Sequence, residues 1–124
     1  MIEMVHVLIV EDERYVAEAT KAILEQCYPD SLPGFRCIIS PTVRTAGYKL
    51  ASGIFDVVLT DWDLPDGDGN DVMDLATCPV VVYSGGVHSH QRAMQRAHTI
   101  IQKPSNSAVL RRALYHAAQT GAAA

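Results

Sequence analysis

The sequence predicts an α/β fold: a doubly wound, five-stranded parallel sheet with helices on both faces. Short, continuous apolar runs such as "VHVLIV" and "VVVY" recur along the chain, the pattern of strands covered on both sides. Between them the apolar spacing changes to a helical period, so strands and helices alternate from end to end. With 124 residues, 48% of them apolar, the chain can bury one substantial core, and residues 1–124 are read as one domain.

The first strand is Val5–Val10. After "EDER", Val16, Ala19, Ile23 and Cys27 recur at helical spacing and mark the apolar stripe of the first helix. Two prolines and a glycine in "YPDSLPG" end it, and Phe35–Ser40 is the second strand. A helix from Thr42 to Ser52 follows, with Val43, Ala46, Leu50 and Ala51 inward and Gly53 as its stop. Val57–Thr60 is the third strand, and Gly69–Ala76 leaves room only for a short helix before Pro79. Val80–Tyr83 is the fourth strand, after which "SGG" leads into a polar helix near His90–Ala97. Thr99–Gln102 is the fifth strand. Leu110, Ala113, Leu114 and Ala117 mark a last helix, expected to fray in "TGAAA".

The net charge of −4, without any basic stripe, argues against direct contact with nucleic acid. Cys27, Cys37 and Cys78 are too scattered for a disulfide framework or a paired-cysteine metal site. No basic region precedes the N-terminal apolar run, and no apolar run approaches the roughly 18 residues of a membrane span. The expected setting is the cytoplasm, with no membrane partner.

In doubly wound sheets, functional groups gather at the carboxyl ends of the strands, where the strand order reverses. Here those ends carry Glu11 and Asp12, then Asp61, then Ser84, then Lys103 with Pro104. Carboxylates with loop carbonyls form an oxygen-only site, which suits Mg²⁺. Ser84 and Lys103 are donors fitted to phosphoryl oxygens.

The pieces "LIVEDE", "VVLTDWDLPDGDG", "VVVYSG" and "IIQKP", in this order, resemble the receiver domains of two-component response regulators over essentially the whole chain. The resemblance implies strand order 2-1-3-4-5. It also implies a regulatory phosphoacceptor rather than an enzyme acting on other substrates. Asp61 would take the phosphoryl group, and Lys103 would pair first with Asp61 and then with the phosphoryl oxygen. Ser84 would be the switch hydroxyl. Asp12 would bind Mg²⁺ directly and Glu11 through water, with Asp61 and the main-chain carbonyl of Asp63 completing the set. The implied partners are a histidine kinase or histidine phosphotransfer protein, and a downstream effector or covalently linked output domain. The family also implies a cis Lys103–Pro104 peptide.

A haloacid-dehalogenase-type phosphohydrolase is the alternative, with Asp61 as nucleophile and Asp63 as general acid. That family needs a later acidic metal motif, and nothing acidic follows Lys103. EF-hand registers starting at Asp61 or Asp66 fail, the first at Pro65 and the second at Asp71 and Thr77. Asp66 and Asp68 are read as a solvated turn whose geometry Gly67 and Gly69 permit. Trp62 is read as a rim residue, and His88 and His90 as solvated. Glu11 and Asp12 can equally serve as acids at a helix start. Three departures from the family stand out: Ile100 replaces a common aromatic on the fifth strand, Ser105 follows Pro104 where Phe is common, and the third helix is clipped to about two turns between Gly69 and Pro79. They put the usual signalling surface in doubt.

Overall fold

Runs of β-branched and aliphatic residues form β1 (Met4–Val10), β2 (Gly34–Ser40), β3 (Val57–Thr60), β6 (Val80–Ser84) and β7 (Thr99–Gln102). The computed structural model describes residues 4–26, 33–85 and 93–123. The five strands pair in parallel, in the order β2-β1-β3-β6-β7. Counting only these strands, that is the expected order 2-1-3-4-5. The order reverses between β1 and β3, which opens a crevice at their carboxyl ends. A separate two-residue antiparallel ladder, β4 (Asp63–Leu64) with β5 (Gly67–Asp68), was not anticipated from the sequence.

Side chains of successive strand residues point to opposite faces, so β1 feeds two cores at once. Val5, Val7 and Ile9 pack with Leu59, Val81 and the helix residues Leu24, Leu110 and Leu114. Leu8 and Val10 pack on the other face with Val58, Ala46 and Val72. Burial of each such Val or Leu stabilises the fold by about 1.5–3 kcal/mol. Helices α1 (Arg14–Glu25) and α4 (Ser107–Ala123) cover the first face; α2 (Val43–Ser52) and α3 (Gly69–Leu75) cover the second.

Some details differ from the sequence reading. On α1 the buried stripe is Ala17, Thr20 and Leu24, whereas Ile23 is 37% exposed and Ala19 also faces outward. The two stripes lie one residue apart, about 100° around the helix. The sheet takes the stripe containing Leu24, which the polar Thr20 had disguised. Ala51 on α2 is exposed, and α4 stays helical to Ala123 without fraying at Thr120. Ala93–Arg96 form a 3-10 turn. Cys27, Gly86, His88, His90 and the start of the helix expected there lie outside the described residues. Among the described residues, no helix is long and apolar enough to cross a membrane.

Candidate functional site

Three residues at the carboxyl edge are set in place by ladder hydrogen bonds running one step beyond the strands. Asp61 N–H donates to Val10 O (2.9 Å), Glu11 N–H to Ser40 O (3.0 Å), and Lys103 N–H to Ser84 O (3.2 Å). The parallel sheet itself therefore fixes the backbone of both acids and the lysine. The Lys103–Pro104 peptide is cis.

Their side chains meet. Lys103 Nζ donates to Asp61 Oδ2 at 3.2 Å and also to Glu11 Oε1. The other Asp61 oxygen, Oδ1, accepts the Trp62 N–H at 2.7 Å, so the carboxylate plane is held from both sides. Glu11 Oε2 accepts Glu13 N–H at 3.2 Å. Burial pushes the Glu11 carboxyl above its usual range, even though the ammonium and the Glu13 amide act to lower it. Burial also works against the charge on Lys103, but Glu11 and Asp61 outweigh it and hold the ammonium above its ordinary value. Asp12 is exposed, and ligand oxygens of Glu11, Asp12 and Asp61 all lie within 4.8 Å of one another.

Ser84 is buried at the end of β6, opposite Gln102 in the β6–β7 ladder, and its carbonyl accepts the Lys103 N–H one step further on. Asp63 is exposed on β4, and its side chain is not among the three clustered carboxylates. Glu11 and Asp12 do not start α1 as capping acids: Glu13 holds the cap position and makes no side-chain cap bond. Ile100 packs against Trp62 and Val82.

Two expectations about the acidic stretch need correction. Trp62 is no rim residue; it is only 3% exposed, packed with Val82 and flanked by Met73, Ala97 and Ile100. Nor are the acids beyond Asp63 a merely solvated turn. Asp66 accepts from the Val43 and Arg44 amides (2.8 and 3.0 Å), capping the first turn of α2 from a different segment. Those two bonds, Val43 first, hold its carboxyl below the ordinary range. Asp68 caps α3 in a box with Asp71. The helix amides need acceptors, and these carboxylates supply them. Gly67 and Gly69 have no left-handed backbone to explain them, since no described glycine has positive φ. Space is the constraint: a Cβ at Gly69 would lie 2.5 Å from Trp62 Cε3, and one at Gly67 would meet Asp71 and Val43.

Tyr83 was overlooked in the sequence. Its ring lies under Lys103 Nζ (5.5 Å to the centroid), and its hydroxyl accepts Ser105 N–H at 3.1 Å. The available signal was its place in the strand, one residue before Ser84 and therefore on the opposite face.

No protein-family model matches the sequence, and no curated protein matches it either. Solved structures do. A response regulator receiver domain from Methylobacillus flagellatus is 26% identical, with 91% of this chain and 98% of that one covered and a TM-score of 0.77. The chain has the receiver-domain fold. A response regulator receiver domain protein from Methanospirillum hungatei shares this receiver fold at TM-score 0.80 and 22% identity, covering 97% of this chain and 98% of that one. The receiver domain of a Pseudomonas aeruginosa sensor histidine kinase, whose structure has a magnesium ion coordinated in its active-site cleft, matches at TM-score 0.69 and 21% identity. The coverage there is 93% of this chain and 98% of that one. The phosphohydrolase alternative is not favoured.

Proposed function

We propose that this chain is a regulatory phosphoacceptor: Asp61 takes a phosphoryl group from a histidine kinase or histidine phosphotransfer protein. The observation that carries the reading is the meeting of Lys103 with both Asp61 and Glu11 at the carboxyl edge of the sheet. A carboxylate oxygen of Asp61 attacks phosphorus as the bond to the donor breaks, and the donor leaves with the electron pair. Lys103 follows the growing negative charge on the transferred oxygens, and the Trp62 amide keeps the carboxylate aimed. Water later attacks phosphorus, releasing inorganic phosphate and restoring Asp61. Ser84, at the neighbouring strand end, is the hydroxyl that reads the phosphorylated state.

The donor set fits Mg²⁺. Three carboxylates converge and, among the described residues, one ammonium answers them, leaving a surplus of two negative charges for a hard divalent ion. Glu11, Asp12 and Asp61, with the Asp63 carbonyl, would hold it. When bound it supplies positive charge beside the phosphoryl oxygens. The magnesium in the Pseudomonas relative's cleft supports this reading. Residues 1–124 act as one domain in the cytoplasm, signalling to an effector or a linked output domain, without nucleic acid or membrane. Near-complete coverage of receiver structures supports that extent.

Acetyl phosphate with Mg²⁺ should give a phosphoryl adduct by intact mass spectrometry. EDTA should prevent it and Asp61→Asn should abolish it. An adduct that survives Asp61→Asn would overturn the assignment.

A further inference from the structure

We infer that Tyr83 is a positioning residue that aims Lys103 at Asp61 and so sets the rate of phosphoryl transfer; this rests on the phosphoacceptor reading above.

The lysine needs such a device. It must serve two carboxylates on two strands, and its four-carbon stem is long and flexible. Tyr83 restrains it in two ways. The ring lies 5.5 Å from Nζ, inside the range of about 6 Å at which an aromatic face attracts a cation. The hydroxyl accepts the amide of Ser105, so the turn that carries Lys103 and Pro104 is tied back to β6. Tyr83 sits opposite Ile101 in the β6–β7 ladder and lines a small cavity with Glu11 and Asp61, directly beneath the site. Its ring also packs on the core formed with α4. A rigid, core-anchored ring thus supports the cation that bridges the acids. Ser105 meets Tyr83 through its amide, so the ring that orders the turn comes from the adjacent strand.

Two variants separate the contacts. Tyr83→Phe keeps the ring and loses the bond to Ser105, whereas Tyr83→Leu loses both. With acetyl phosphate and Mg²⁺, the Phe variant should phosphorylate two- to tenfold more slowly, the worth of one neutral hydrogen bond. The Leu variant should be slower still. The Phe variant should lose no more stability than one such bond supplies and stay fully folded under the assay conditions, so that its rate is read on native protein. Without any donor, NMR should find the Lys103 methylene protons near Nζ shifted by the ring, the shift kept in Tyr83→Phe and lost in Tyr83→Leu.

Wild-type rates in both variants overturn the proposal. So does a rate loss in Tyr83→Phe that merely tracks an unfolded fraction of the sample, or a Lys103 shift indifferent to the ring. If the unaltered chain takes no adduct, the phosphoacceptor reading falls instead, and the donor-free shifts still judge the Tyr83 contact.

Discussion

Replacing Gly69 by Ala tests how the fold holds Asp61. Gly69 opens α3, and its amide donates to Trp62 O at 2.8 Å. Its φ is not positive, so alanine fits the backbone. On propensity and unfolded-state entropy alone, the change should stabilise the protein by about 0.4–1 kcal/mol. The new methyl, however, would lie 2.5 and 2.9 Å from two carbons of the Trp62 ring. Ordinary carbon contacts are about 3.5–4.0 Å, so a ring that is only 3% exposed must move by about an ångström. Such overpacking costs about 1–3 kcal/mol. The clash wins, and a net loss of about 1–2 kcal/mol is expected, which lowers Tm by about 3–10 °C in a domain of this size. Urea denaturation followed by circular dichroism and by Trp62 fluorescence measures it. In a Trp62→Leu background the same substitution should be neutral or mildly stabilising, because the ring is gone. The reasoning fails if Gly69→Ala loses nothing with Trp62 in place, or loses as much without it. Because Trp62 N–H also holds Asp61, the destabilised variant should accept phosphate more slowly.

Removing the lysine should push two readouts in opposite directions. Lys103→Ala should slow phosphorylation by about tenfold or more, yet tighten Mg²⁺ binding by about tenfold, since a like charge leaves the carboxylate cluster; a Trp62 fluorescence titration reads the second effect, and weaker Mg²⁺ binding would contradict the charge argument. Asp66→Ala should lower Tm at pH 7 by removing the acceptor for the Val43 and Arg44 amides at the start of α2, where Thr42 still caps the Thr45 amide. Because the folded state holds this carboxyl below its ordinary value, its stabilisation is complete above the unfolded value of about 3.9 and fades as pH falls through the lower folded value. The Tm gap to the unaltered chain should therefore shrink under acid, and a gap independent of pH would count against the cap.

The strands were legible because β3, β6 and the second half of β1 are buried on both faces, and such stretches read as nearly unbroken apolar runs. The residues at their ends could then be placed by topology alone. What the sequence hid has two physical sources. On α1, two candidate stripes differ by a single step around the helix, and only the sheet chooses between Ala17–Thr20–Leu24 and Val16–Ala19–Ile23. In the acidic stretch, partners lie far apart in sequence: Asp66 caps a helix 22 and 23 residues earlier, and periodicity carries no trace of that. Tyr83 escaped notice for a similar reason, since its link to Ser105 spans 22 residues.

The small β4–β5 ladder bears on what kind of change this fold can absorb. Exposed loops ordinarily accept an extra residue at little cost. Between Asp61 and Gly69 the chain is stitched at successive points: Asp61 N–H to Val10, Asp63 paired with Asp68, Leu64 with Gly67, and Gly69 N–H returned to Trp62. One residue inserted on either arm, outside the Pro65–Asp66 turn, must break a ladder pairing or pull Trp62 away from Gly69, and the second outcome loosens the Trp62 amide that holds the carboxylate facing a lysine 42 positions further on. The span acts as a ruler. Its residue count is as much a part of the chemistry as the side chains it carries, so a deletion or insertion scan should find the two arms of this stretch as intolerant as the interior strand that precedes them.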